Sequence, residues 1–267
     1  MCIFVLIYQS VNGPKTELDS TVISQPAIFV ASMACVEKLR ATDPAAVESC
    51  TVAMGLSLGE YSALCFAGAL SFEDGVRLTK ARGEAMQAAS DAIPSGMVAV
   101  SGLDAAQVQQ VCDAAMRDSG KAISIANYLG EGNYAVSGAK EACLAAMEIA
   151  TATGARQVVQ LSVAGAFHTA YMLPAVEPLR DALKQVVLSS PRLPVIANVD
   201  AKAHFYPEDI RNSLVRQVTS PVQWEKTIGT MVRSPDFQRA YELGPGNVCK
   251  ALVKRFGRRI DVTSVTP

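Results

Sequence analysis

Three side chains of this 267-residue chain have the types and settings that nucleophilic chemistry needs. Ser57 stands between two glycines, Gly55-x-Ser57-x-Gly59, inside "TVAMGLSLGEYSAL". A short apolar stretch before it and a helical spacing after it fit a nucleophile elbow, where a strand turns sharply into a helix. The same spacing also fits a serine in an ordinary tight turn. A serine hydroxyl is a weak nucleophile without a base in hydrogen-bond reach, and the chain has two histidines. His204, in "DAKAHFYPED", reads as a surface residue of a polar turn. His168, in "VAGAFHTAYM", follows an apolar run and precedes a helix, which suits a base on a rim and equally a packed loop histidine. Arg82 lies midway along "KARGEAMQAA", with Met86 one turn later on the same helical face. Its guanidinium is either a solvated head on an apolar stem or a fork that holds a substrate carboxylate bidentately. Spacing does not choose between them.

The elements that must position these groups alternate in the α/β manner. "SQPAIFVASMACVEKLRA" predicts a helix, "CTVAMG" a strand and "LGEYSALCFAGAL" a helix. "SFEDGVRLTKARGEAMQAASDA" predicts another, with Ser71 as N-cap and Glu73 and Asp74 in the first turn, where the helix dipole favours acids. Residues 96–163 then read β-α-β-β-α-β, the ferredoxin-like order, as an insert in a larger α/β domain built from 1–95 and 164–267. A helix around 169–188, the strand "PVIANV", a helix over 207–217 and the segment "YELGPGNVCKALVKRF" complete the chain.

Composition excludes several classes. Half the residues are hydrophobic and the formal net charge is −1, so no overall field draws the chain to nucleic acid or an anionic membrane. Seven cysteines, odd in number and never in C-x-x-C, argue against a disulfide framework or zinc site and for a reducing compartment. The apolar run "MCIFVLIY" is far short of the roughly 20 residues that span a bilayer and lacks the flanks of a signal peptide. It reads as a buried strand followed by a polar loop with Gly13-Pro14 as its turn. No Arg/Ser-rich transit peptide is visible.

Six segments in order, "GLSLGEYSAL", "RGEAMQ", "IANYLGEGNYAVSG", "VAGAFHTAYM", "RQVTSPVQWE" and "YELGPGNV", resemble the malonyl-CoA:acyl carrier protein transacylase family of type II fatty acid synthesis. The likeness covers residues 25–265 and is to the plastid type of plants and algae, which shares Leu56. It implies an α/β fold with a hydrolase-like core, a parallel sheet and an inserted ferredoxin-like subdomain. It also implies that Ser57 carries malonyl as an ester, that His168 is the base, and that the backbone carbonyl of Gln217 orients the histidine where a carboxylate would stand in a triad. By the same resemblance, Leu58 N–H is an oxyanion donor, Arg82 pairs with the malonyl carboxylate, and Phe167 crowds out an α-methyl branch. Met86 and Asn127 would line the pocket, and "GPGN" (244–247) would be a loop packed near the site. The partners implied are malonyl-CoA and an acidic acyl carrier protein, docked on Lys250, Lys254 and Arg255, with Arg258 and Arg259 beside them. No cofactor or metal is implied, a monomer is expected, and the compartment is the plastid stroma or, alternatively, the mitochondrion.

One segment departs from the family. Its glutamine-rich "GQGSQ"-like loop, whose glutamine N–H completes the oxyanion hole, has no counterpart, and Gln9 stands roughly where that loop should be. Two rival readings follow. A serine thioesterase or esterase would use Ser57 and His168 and have no use for Arg82. A catalytically impaired carrier-binding relative would keep the basic cluster alone.

Overall fold

The computed structural model describes residues 20–234, 237–256 and 260–267, together with positions 10, 12–14 and 18. The expected N-terminal strand, Gln9, Arg258 and Arg259 lie outside the described residues.

Helix α1 (Thr21–Thr42) and a short α2 (Pro44–Glu48) lead to strand β1 (Ala53–Met54), helix α3 (Gly59–Phe66) and helix α4 (Phe72–Ala92). Ser71 caps α4 as expected, its hydroxyl accepting the N–H of Asp74. Two glycines on one face of α4 let α1 lie against it. A Cβ on Gly75 would sit 2.2 Å from the ring of Phe29, and one on Gly83 would sit 2.3 Å from the carbonyl oxygen of Thr21. This close crossing is what brings Gln25 of α1 to Arg82 of α4. Helix α1 also starts a turn before the expected Ser24, so Pro26 falls inside it rather than in its first turn. Tertiary bonds hold that extra turn: Thr21 Oγ1 donates to Gly83 O at 2.8 Å, and Thr21 N–H to Gln87 Oε1 at 3.2 Å. By length and composition α1 is apolar enough to cross a membrane. Here it buries Phe29, Cys35, Val36 and Leu39 within the protein.

Strands β2 (Ser95–Ser101), β3 (Ile123–Gly130), β4 (Asn133–Ala139) and β5 (Gln157–Gln160) form one antiparallel sheet in the order β3-β4-β2-β5. Helices α5 (Ala105–Ser119) and α6 (Lys140–Ala152) share a core with it through Val108, Val111, Ala115, Ala142, Ala146 and Val136. This is the β-α-β-β-α-β succession read from the sequence. The sheet is stitched to the rest of the molecule at β3: Tyr128 N–H donates to Val222 O and Val222 N–H to Ala126 O, both at 2.9 Å.

The second half of the chain supplies a 3₁₀ turn (Ala170–Ala175), α7 (Val176–Lys184), β6 (Val195–Ile196), α8 (Pro207–Gln217), α9 (Trp224–Arg233), β7 (Arg239–Leu243), α10 (Val248–Lys254) and β8 (Asp261–Val265). The helix expected over 169–188 is therefore split, because Pro174 has no N–H to give an α-helical ladder. Two strand pairs among the described residues are parallel, β1 with β6 and β7 with β8. The strand expected over "PVIANV" ends at Ile196, since Ala197 N–H turns back to Lys202 O. The main core lies under β1, α3 and α4 and contains Tyr61, Leu64, Leu78, Met86, Leu179 and Leu214.

Candidate active site

The turn from β1 into α3 is tight enough to dictate its residues. A Cβ on Gly55 would lie 2.0 Å from the backbone carbon of Gly59, whereas a Cβ on Gly59 meets nothing within 4 Å. The first glycine is thus required by contact and the second is not. Ser57 sits at the apex with φ +50°, a left-handed conformation that non-glycine residues adopt at a cost of order 1–3 kcal/mol and that the surroundings must enforce. They do so through Asn198. Its Oδ1 accepts the N–H of Ser57 at 2.6 Å, and its Nδ2 donates to the carbonyl of Gly55 at 2.7 Å. One carboxamide thereby clamps both limbs of the elbow. Among the described residues the N–H of Leu58, next in the chain, bonds to no backbone carbonyl, as expected at the start of a helix.

His168 reaches Ser57 from the opposite wall, with Nε2 2.9 Å from Oγ. The histidine is buried, has φ +61°, and is fastened to the end of α8 by two bonds. Its N–H donates to Val218 O at 3.1 Å, and its Nδ1 lies 2.8 Å from the carbonyl oxygen of Gln217. A carbonyl only accepts, so Nδ1 carries the ring proton and Nε2 offers its lone pair to the serine hydroxyl. Burial, then the positive charge of Arg82, push His168 down to about 4; hydrogen bonds to the carbonyls of Gln217 and Ser220 oppose this. The ring is neutral at physiological pH, as a base must be.

Arg82 is 2% exposed, which removes the solvated reading of this residue. Its Nη1 donates to Gln25 Oε1 at 2.7 Å, and its Nη2 to Ser57 Oγ and Gln217 Oε1, both at 3.0 Å. Its Nε has no partner. None of the ion pairs among the described residues includes Arg82. A buried cation with no carboxylate in contact is costly. Glu60 acts on this one from behind the Gln217 amide, and the guanidinium is aimed at the serine oxygen. Gln217 binds the parts together: its Nε2 donates to Ser57 O at 3.0 Å and to Glu60 Oε2 at 2.8 Å. Glu60, in the first turn of α3 and 3% exposed, also accepts the N–H of Asn198 at 2.9 Å. Burial pushes its carboxyl up to about 7, opposed by those two donors and by Arg82.

Met86 is buried one turn beyond Arg82, and its sulfur accepts from Gln25 Nε2 at 3.5 Å. Phe167 is half-buried, packed on the cluster of Met97, Ala126 and Ala135 at the seam with the antiparallel sheet. Asn127 lies on β3 beside that seam, bridged to Val222. His204 is half-buried and bonds Asp200 rather than Ser57. The "GPGN" loop meets α1, since a Cβ on Gly244 would sit 2.8 Å from Ser32 Oγ. Lys254 and Arg255 are exposed at the end of α10; Lys250 is half-buried, and its N–H donates to Glu242. A cavity of about 650 Å³ lies between Ser20, Gln87 and residues 160–164, and none of the site residues lines it.

Sequence reasoning did not find Gln25, Glu60 and Asn198. Each carried a readable signal, a polar side chain inside an otherwise apolar run: "SQPAIF", "GEYSAL" and "PVIANV".

Chemically, a serine hydroxyl held between a neutral imidazole and a guanidinium can be acylated, the proton passing from Oγ to Nε2 as the bond to a carbonyl carbon forms. The acyl transferase domain family matches residues 7–261 of the chain. The malonyl-CoA-acyl carrier protein transacylase, mitochondrial, of Homo sapiens is 40% identical over 259 residues, covering 93% of this chain and 66% of that protein. The crystal structure of an acyl-carrier-protein-S-malonyltransferase from Bartonella henselae superposes with a TM-score of 0.91 at 35% identity, covering 98% of this chain and 82% of that one. A malonyl-transacylase in complex with a type II PKS acyl-carrier protein gives a TM-score of 0.90 at 32% identity, with 98% and 82% covered. This chain thus spans about two thirds of the human relative's length. Elbow, base and fold agree with that kinship: the chain belongs to the acyl transferase domain family, among the malonyl-CoA-acyl carrier protein transacylases.

Proposed function

We propose that the chain moves a malonyl group from malonyl-CoA to the phosphopantetheine thiol of an acyl carrier protein, through an ester on Ser57. The observation that carries this reading is Arg82: a buried guanidinium, with no carboxylate in ion-pair contact among the described residues, 3.0 Å from the oxygen that would bear the acyl group. An acyl chain ending in a carboxylate supplies the missing anion, and a water-poor pocket strengthens that pairing. An esterase for neutral acyl groups gains nothing from such a cation.

In the first half-reaction Ser57 Oγ attacks the thioester carbonyl and its proton passes to His168 Nε2. The Leu58 N–H faces the developing oxyanion. The tetrahedral intermediate then expels the thiol of coenzyme A, which takes the proton from Nε2. In the second, the carrier thiol gives its proton to Nε2 and attacks the ester, and Ser57 recovers a proton as it leaves. Thioester becomes ester and then thioester again, so the exchange is near thermoneutral and ping-pong.

Gln217 orients the base by its carbonyl, Phe167 narrows the space beside the malonyl α-carbon, and Met86 and Asn127 shape the pocket. We read residues 96–163 as the lobe that closes over it. Lys250, Lys254 and Arg255 form the docking edge for an acidic carrier. For the compartment, the mitochondrial relative supports the mitochondrial reading over the plastid one.

Intact-protein mass spectrometry after mixing with malonyl-CoA tests the proposal. A malonyl adduct is expected on the wild-type chain, absent from Ser57→Ala and diminished in Arg82→Ala. Rapid release of free malonate with no transfer to a carrier would instead make the protein a thioesterase.

A further inference from the structure

We propose that Glu60 is a positioning residue for the transfer reaction: one oxygen of its buried carboxyl ties the loop that holds the nucleophile to the helix end that holds the base. This deepens the reading above and rests on it for the role of Arg82.

Glu60 Oε2 accepts from two directions, Asn198 N–H at 2.9 Å and Gln217 Nε2–H at 2.8 Å. Asn198 belongs to the segment after β6, and its side chain clamps Ser57 and Gly55. Gln217 ends α8, and its carbonyl holds the His168 ring. The nucleophile and the base come from parts of the chain separated by 111 residues. A single oxygen atom is the shared anchor of their two supports.

The same atom sets the orientation of the Gln217 carboxamide, which has donors on one side and an acceptor on the other. Glu60 Oε2 and the Ser57 carbonyl both accept from its Nε2 side. That leaves Oε1 to face Arg82 Nη2 at 3.0 Å. Were the amide reversed, its NH₂ would confront a guanidinium, donor against donor. Glu60 thus also fixes how the arginine presents itself, although it touches neither Ser57 Oγ nor any substrate position.

The test compares Glu60→Leu, Glu60→Gln and Glu60→Asp with the wild-type chain in three readouts. These are the rate of covalent labelling of Ser57 by a fluorophosphonate, the kcat and KM for malonyl transfer to a carrier, and the thermal melt. Fluorophosphonate labelling needs the nucleophile and base but no malonyl recognition. On folded protein, Glu60→Leu is expected to label about 10²-fold more slowly, the scale of a misplaced reacting group. Its KM for malonyl-CoA should rise as Arg82 loses its fixed partner. Glu60→Gln should recover most of the labelling rate, because its Oε1 accepts the same two N–H groups. A folded Glu60→Leu that labels at the wild-type rate, with only a lower melting temperature, would overturn the proposal and leave Glu60 a structural residue. If Glu60→Leu does not fold, Glu60→Asp decides. It keeps the charge and retracts the oxygen by one methylene, so slower labelling than Glu60→Gln supports positioning and an unchanged rate overturns it. A wild-type chain that reacts with the fluorophosphonate but takes no malonyl from malonyl-CoA would refute the transfer reading, while the Glu60 comparison would still stand or fall on labelling alone.

Discussion

The backbone N–H of Ser57 donates to Asn198 Oδ1 at 2.6 Å, so the nucleophile's own amide is occupied before any substrate arrives. In the proposed reaction the elbow's contribution to an oxyanion is left to the next amide, Leu58, and the strained φ of Ser57 is held by a side chain 141 residues away.

Asn198→Ala is therefore expected to do two kinds of damage. It leaves the Ser57 N–H and the Gly55 carbonyl without partners, and a buried unpaired polar group costs about 1–3 kcal/mol. It also frees the elbow to relax away from His168. A lowered melting temperature together with a fall of at least tenfold in the rate of malonyl-enzyme formation, read by mass spectrometry on the folded fraction, is the expected pair. A lowered melting temperature with an unchanged rate would contradict the clamp.

The two elbow glycines should behave differently. Gly55→Ala places a Cβ against the Gly59 backbone at 2.0 Å and should abolish acylation or folding. Gly59→Ala meets open space at the first position of α3, where alanine is the better helix former by up to about 1 kcal/mol. Expression, circular dichroism and acylation rate of the two variants side by side check this, and equal damage from both would refute the steric account.

The pH profile follows from the buried histidine. The base works in its neutral form, so kcat/KM for malonyl-CoA falls only as pH drops through about 4, rather than near the ordinary histidine value of about 6.5. Arg82 contributes to that depression, so Arg82→Ala should move the acid limb to higher pH as well as weaken malonyl binding. A wild-type limb at 6.5 that persists in Glu60→Gln would show the ring to be solvated. One that disappears there would belong to the Glu60 carboxyl, itself pushed up to about 7 by burial.

Arg82→Lys tests the fork against the charge. A lysine keeps one positive charge but lacks the planar donors that serve Gln25, Ser57 and Gln217 together. Loss of at least tenfold in kcat/KM for malonyl-CoA is expected, about 1.4 kcal/mol or more of transition-state binding. Near-wild-type kinetics for this variant would mean that charge alone suffices.

The sequence made the elbow legible because glycine, serine and glycine report their own backbone geometry, and the helices around it because caps and apolar spacing are local. Ser71 and the 207–217 helix fall where local rules put them. The 3₁₀ turn at 170–175 and the early start of α1 were not legible: one depends on Pro174 within a helical pattern, the other on hydrogen bonds from Thr21 to a helix some 60 residues away. Arg82 was ambiguous for the same reason. Whether a guanidinium is solvated or buried depends on what the chain folds over it, and Gln25 and Gln217 come from opposite ends of the chain. Asn198 and Glu60 stood out only as polar side chains in apolar runs. Their roles were hidden because their partners, the Ser57 and Gly55 backbone for one and Asn198 N–H and Gln217 Nε2 for the other, lie some 140–160 residues away in the chain.

The partner that sets the tautomer of His168 is likewise a main-chain oxygen. A codon change cannot delete it. Substituting Gln217 removes the amide that steadies Arg82 and the elbow, yet the carbonyl remains wherever the end of α8 remains. The orientation of the base is thus inherited as a path of the chain rather than as a letter of the sequence. A search for an acidic third member would pass over it, and mutational scanning at position 217 would report on the arginine far more than on the histidine.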